Sequence, residues 1–190
     1  MARKGFTLVE AVVVMAILGL IAGAIMSFYP VSAKLFVRGS AEATAETAAA
    51  RATQKIAPVV REAVNLNVVV RNAGTGDVRL EVSLPLKQVE STTGENLVVY
   101  PLAVGEQVAY YRSDASGSSS QTGNYLWEAV KVGGNWQPRR PLAENVSSFT
   151  CPRVDTFSPK GVEVVIACLA KEGSRQGRVT HRQYLECRNT

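Results

Sequence analysis

Residues 11–31 read AVVVMAILGLIAGAIMSFYPV. Between Lys4 and Lys34 the only ionisable side chains are Glu10 and Tyr29. At about 1.5 Å per residue, a helix over this run reaches about 31 Å, the thickness of a bilayer hydrocarbon core. Arg3 and Lys4 stand before it. By the positive-inside rule they leave the N-terminus cytoplasmic and export the chain beyond the run. A secretory signal has the same polarity, and Val31-Ser32-Ala33 resembles a small-residue cleavage site. An ordinary signal, however, has an apolar core of about 7–15 residues. This run is longer and has a carboxylate near its start.

The rest of the composition narrows the choice of function. A chain of 190 residues fits about one domain. Hydrophobic residues at 46% exclude global disorder, and charged residues at 19% fall below the roughly 25% of soluble domains. The net charge of +5 permits nucleic-acid binding without demanding it. Three cysteines are too few for a disulfide scaffold.

Arg3-Lys4-Gly5-Phe6-Thr7-Leu8-Val9-Glu10 resembles the leader of the type IV pilin-like family, the pilins and the type II secretion pseudopilins. The resemblance implies a prepilin peptidase that cuts between Gly5 and Phe6 on the cytoplasmic side and methylates the new Phe6 amine. The apolar run then stays on the mature chain. It also implies a role for Glu10, which would neutralise the Phe6 amine of a neighbouring subunit and set its axial register. A carboxylate among apolar residues costs about 2.5–3.5 kcal/mol at the centre of a span, so it tends to have a partner. The plainer alternative is that Glu10, near the cytoplasmic end, snorkels to the interface.

Gly19, Gly23 and Ser27 are spaced four apart on one helix face. Small residues at that spacing let membrane helices approach closely, although glycine is also common in membrane helices generally. Pro30 removes a backbone hydrogen bond four residues back. In related filaments this is the stretch that loosens on assembly.

Residues 34–64 continue as an amphipathic helix. Ala41, Ala45, Ala48, Ala52, Ile56, Val59 and Ala63 recur at steps of three and four. Pro58 is expected to kink its end. After residue 65 the pattern turns to strands. Leu66–Arg71 and Val78–Leu84 flank the turn Gly74-Thr75-Gly76-Asp77. Leu97–Tyr100, Gln107–Arg112, Tyr125–Val132, Val146–Cys151, Val162–Leu169 and Arg178–Cys187 come after them. Gly133-Gly134-Asn135 turns the chain towards Trp136, and Ser113–Asn124 reads as a surface loop. The fold class is therefore α+β: a long N-terminal helix packed on a mainly antiparallel sheet, the shape expected of a pilin. The expected divisions are a leader at 1–5, a transmembrane or filament-core helix at 6–33, and an exported head at 34–190.

Tyr110–Arg112, Tyr125-Leu126-Trp127, Arg140–Val146 and the final Arg188-Asn189 resemble the J-type minor pseudopilins and W-type minor pilins. That resemblance implies a minor subunit of a filament tip or initiation complex, serving type II secretion or a type IV pilus. Its partners would be prepilin peptidase, other minor and major pilins or pseudopilins, an inner-membrane assembly platform and, before assembly, lipid. The chain would start as a single-pass inner-membrane protein with its head in the periplasm or outside the cell.

No catalytic chemistry is visible. The single histidine, His181, lies on an expected strand, and no second exists for a zinc site. G-x-S-x-G, P-loop, H-E-x-x-H and EF-hand sequences are absent. No enzymatic activity, metal or cofactor is expected. Cys151, Cys168 and Cys187 fall in the exported part, where disulfides persist. A hairpin centred on Ser158–Gly161 would place Cys151 roughly opposite Cys168. Cys168 facing Cys187, or three free thiols, are the alternatives. A rival function is DNA capture during uptake by Arg139, Arg140, Arg153, Arg175, Arg178, Arg182 and Arg188. A solvated basic surface is the plainer reading, because no aromatic residues interleave with these arginines as a stacking groove requires.

Overall fold

The computed structural model describes residues 7–72, 74, 76–89, 96–98, 103–117, 123–155, 160–172 and 175–188. The chain divides into two compact units, one up to Ser40 and one from Ala41. Helix α1 (Leu8–Arg61) continues as one helix past Pro30 and Pro58, each of which leaves out one backbone hydrogen bond. In the first unit its large apolar side chains, from Leu8 to Val37, are exposed. In the second unit only Val70, Leu86, Val104 and Val132 are exposed large apolar side chains among the described residues.

The second unit is built on antiparallel strands. β1 (Asn65–Asn72), β2 (Asp77–Pro85), β5 (Val104–Ser113), β6 (Tyr125–Val132) and β7 (Asn135–Ala143) form a five-stranded sheet in the order β1-β2-β5-β6-β7. β8 (Val146–Thr150), β9 (Val154–Asp155), β10 (Gly161–Glu172) and β11 (Arg175–Glu186) form a second sheet, in which β10 lies between β11 and β8 and also pairs with β9. β3 (Lys87–Val89) and β4 (Asn96–Val98) make a short two-stranded ladder. This is the α+β class expected, a long helix on antiparallel sheet.

The helix stripe is turned slightly from its expected place. The buried residues are Ala45, Ala49, Ala52, Thr53, Ile56, Ala57 and Val60, whereas Ala48 and Val59 are half-buried. An alanine-rich helix has small side chains on several faces, so spacing alone leaves the centre of the stripe open by one residue. This stripe packs on Leu80 and Val82 of β2, Tyr110 of β5, Leu126 of β6, Phe149 of β8 and Val164 and Ile166 of β10 in one core. The helix also stops earlier than 64. The Val64 N–H donates to the Ser83 carbonyl at 2.8 Å and starts the β1–β2 ladder. The Arg188 N–H donates to the Arg61 carbonyl at 2.8 Å, so the segment after the last strand satisfies one of the helix's otherwise open carbonyls.

Three strands were not anticipated. β3 and β9 are too short to show alternation. β7 contains Pro138 and Pro141, which argue against a central strand, but β7 lies on the sheet edge, where a missing N–H is tolerated. The β6–β7 turn is the expected one. Gly133 and Gly134 have φ of 58° and 88°, as a two-residue type I′ hairpin turn requires.

Candidate functional site

Thr7 precedes the first helical residue, and its side chain shows how the segment is built. The Glu10 N–H donates to Thr7 Oγ1 at 3.3 Å, and the Ala11 N–H to the Thr7 carbonyl at 3.2 Å. Thr7-Leu8-Val9-Glu10 thus has the spacing of a helix capping box, with Thr as cap and Glu in the first turn. A carboxylate there is favoured by the positive end of the helix dipole. Sequence reading missed this local contribution of Glu10, although the T-x-x-E pattern carries it. Gly5 and Phe6, the expected cleavage and methylation residues, and the whole 1–5 leader lie outside the described residues.

Gly19 and Gly23 lie on α1, and beyond the adjacent residues and the helix's own backbone nothing stands within 4 Å of where a Cβ would be. Each costs about 0.8–1 kcal/mol of helix propensity relative to alanine. No internal contact explains why glycine stands there. Pro30 lacks the N–H that would bond the Met26 carbonyl. Among the described residues, α1 is the one helix long and apolar enough to cross a membrane.

The cysteines are not brought together. Cys168 on β10 faces Val146 on β8 and Val179 on β11. Cys151 follows Thr150, whose partner is Val165, so Cys151 stands about four residues from the level of Cys168. That is about 13 Å at ~3.3 Å per residue, beyond the ~7 Å Cα limit for a disulfide. The Cys187 N–H bonds the Lys160 carbonyl, eight residues along β10 from Cys168. All three are buried free thiols in this structure. β9 and β10 pair antiparallel, Gly161 with Asp155, and the Ser158-Pro159 part of the expected turn lies outside the described residues. Gly161 pairs with Asp155 and Val165 with Thr150, so the ladder is centred one to two residues before the Ser158–Gly161 turn that would set Cys151 opposite Cys168. The shift between Ala167 and Cys168 carries Cys168 one residue further. Burial pushes the Cys151 thiol up to about 12, and raises Cys168 and Cys187 as well.

The C-terminal arginines are largely engaged with acids. Arg140 contacts Glu128 at 2.8 Å, and Arg139 lies 3.6 Å from Glu106 and 3.8 Å from Glu128. Arg153 meets Asp155 at 3.0 Å, and Arg182 meets Glu163 at 3.3 Å. Arg178 donates to Ser148 Oγ at 2.5 Å. Arg175 begins β11, and Arg188 follows that strand. These residues are spread along β7, β11 and the segment before β9, rather than forming one groove. His181 faces Ile166 across the β10–β11 ladder. Among the described residues no group of His, Cys, Asp or Glu is arranged to hold a metal.

A different basic cluster went unnoticed in the sequence. Arg79, Tyr111 and Trp127 are cross-strand neighbours on β2, β5 and β6. They lie on the face that also holds Ala109, Ala129 and Trp136. The Arg71 guanidinium lies 5.0 Å from the Tyr111 ring centre, and that of Arg79 lies 5.6 Å from Trp136. Burial, and next the charge of Arg79, hold Arg71 below its usual pKa. Alternation placed each residue on a face of its strand. Only the register places them in one row.

Residues 1–26 match the family model described as the prokaryotic N-terminal methylation motif. The match supports a type IV pilin-like subunit, a structural class of protein anchored by one N-terminal helix. Such a motif implies processing by prepilin peptidase and assembly with other pilins. No curated protein and no solved structure matches the chain.

Proposed function

We propose that this chain is a minor pilin or pseudopilin, a non-enzymatic subunit at the tip or initiation complex of a type IV pilin-like filament. Its work is done by α1. Before assembly the apolar segment spans the inner membrane, with the N-terminus cytoplasmic and the strand-rich unit exported. In the filament the same segment packs against the helices of neighbouring subunits. The observation that carries this reading is the exposed apolar surface of Leu8–Val37 on a chain that bears the methylation motif. A side chain such as Phe36, 78% exposed, has no use for that area in water. Gly19 and Gly23 fit the same role, because their open faces admit a neighbouring helix. The tip position and the minor role rest on the J-type and W-type resemblance of the strand region.

Glu10 supplies the test. Glutamine is as good as glutamate at the third helical position of a capping box, but it carries no charge. Pairing with a neighbour's amine therefore predicts that Glu10→Gln and Glu10→Ala both insert, are cleaved normally, and enter filaments poorly. Recovery of Glu10→Gln in sheared filaments at the wild-type level, with only Glu10→Ala depleted, would reduce Glu10 to a helix cap.

A further inference from the structure

The outer face of the five-stranded sheet holds a groove of about 280 Å³, which filament assembly through α1 does not use. Arg71, Arg79, Tyr111, Gly117, Trp136 and Pro138 line it. Its wall is fixed by specific contacts. Tyr111 donates its hydroxyl proton to the Gly117 carbonyl at 3.1 Å, and Trp127 Nε1–H donates to the Asp114 carbonyl at 2.8 Å. Gly117 has φ +75°, and a Cβ there would lie 2.6 Å from Pro138 Cβ. Only glycine allows the turn and the sheet edge to close so tightly. The concavity is thus formed before any ligand arrives.

Its chemistry is two planar cations against two aromatic rings. Arg79 donates from Nε and Nη2 to Glu81, at 2.7 and 2.6 Å. Its remaining terminal nitrogen has no partner among the described residues. Lys131 adds a third cation, 5.7 Å from the Trp136 ring centre. Arg71 Nη1 donates to the Arg112 carbonyl at 3.1 Å, and Asp77, which pairs with Arg112, also acts on the Arg71 charge. The Tyr111 ring is buried, and the half-buried Trp136 indole is the ring a ligand can reach. Cations beside such a ring are the elements of a single-strand platform, in which charge tracks the phosphates and rings stack the bases. Guanidinium planes stack bases in the same way. The volume is on the scale of one nucleotide.

We propose that this groove binds single-stranded nucleic acid, seating one base against Trp136 and its phosphate between Arg71 and Arg79. Arg139 and Arg140 follow Pro138 on β7, but the arginines that line the groove are Arg71 and Arg79, and α1 contributes none of the lining. The site therefore holds or fails independently of the filament reading.

The test uses the full chain in detergent micelles. Labelled oligothymidylate of about 15 residues, within the ~4–16 nucleotides that single-strand modules cover, is titrated over a salt series. A duplex of equal length and polyglutamate serve as competitors. The groove predicts salt-sensitive binding of the single strand, at a log–log slope of about −0.7 per phosphate engaged. It predicts roughly tenfold weaker binding by Trp136→Ala, consistent with base–aromatic stacking, and near-full recovery by Trp136→Phe. Arg71→Gln combined with Lys131→Gln weakens binding as well and decides the matter if Trp136→Ala fails to fold. Absence of binding overturns the proposal. So does competition by polyglutamate or duplex equal to the single strand, or indifference to Trp136, because each reports charge alone or an acidic protein partner.

Discussion

Asp77 and Arg112 form a buried ion pair, with Oδ2 2.6 Å from Nη2 and side chains only 5% and 10% exposed. Asp77 Oδ1 also accepts the Phe149 N–H at 3.1 Å, and Arg112 Nη1 donates to the Ser147 carbonyl. Asp77 opens β2 and Arg112 lies near the end of β5, whereas Ser147 and Phe149 belong to β8. One carboxylate and one guanidinium thus fasten the five-stranded sheet to the second sheet beneath it. The carboxylate has donors on both oxygens, which is the condition under which a buried pair is tolerated.

Removing one partner leaves the other charged and buried. Asp77→Ala is expected to destabilise the fold by about 3–5 kcal/mol. Arg112→Ala should do the same, and the double variant should cost less than the sum because the two share one interaction. Denaturant midpoints of the four proteins form the cycle. Additive losses would mean that the two residues act separately.

The two ends of α1 should respond oppositely to truncation. Ile56 is fully buried in the core. Ile56→Ala should cost about 2–5 kcal/mol, through lost transfer energy and the cavity left behind. Phe36→Ala removes a larger side chain that is exposed in the chain itself, so thermal unfolding of the strand-rich unit should not move. A matching loss from Phe36→Ala would show that it packs within the chain.

The thiols give a pH dependence of known sign. Cys151 titrates near 9.0 when unfolded and is raised to about 12 by burial in the fold. Below about 9 both states hold the proton, and the contribution to stability is complete. Between about 9 and 12 the unfolded state loses its proton first, so stability falls as pH rises. Cys151→Ala should show a shallower alkaline decline in denaturant midpoint than the parent. With the native fold intact at pH 8, a thiol reagent should react slowly. After unfolding without reductant it should count three thiols. A count of one would mean that a disulfide forms despite the register.

The long helix, the α+β class and most strands were legible because each rests on a local signal: uninterrupted apolarity, spacing of three and four, or alternation. Val78, Leu80 and Val82 alternate with Arg79 and Glu81, and the structure buries the first set. What was not legible depends on register. A turn centred on Ser158–Gly161 sets Cys151 opposite Cys168, but the ladder is centred one to two residues earlier, with Val165 on Thr150, and its shift after Ala167 sets Val146 opposite Cys168. The Arg79–Tyr111–Trp127 row crosses three strands whose pairing no single segment encodes. Pro138 and Pro141 hid β7, because a proline reads as a strand breaker unless the strand is known to lie on an edge. At the N-terminus the Thr7–Glu10 cap was visible as T-x-x-E but was overshadowed by the stronger leader resemblance.

The mass of the chain's N-terminal peptide, recovered from membranes of cells that carry the processing enzyme, tests the central claim most directly. A pilin-like subunit predicts a mature chain that begins at Phe6, carries one methyl group on its amine and retains the whole of α1. Gly5→Val should then accumulate as a precursor still bearing Arg3 and Lys4. A mature chain beginning at Lys34 would instead show that residues 11–31 were a discarded secretory signal, and would contradict the filament reading.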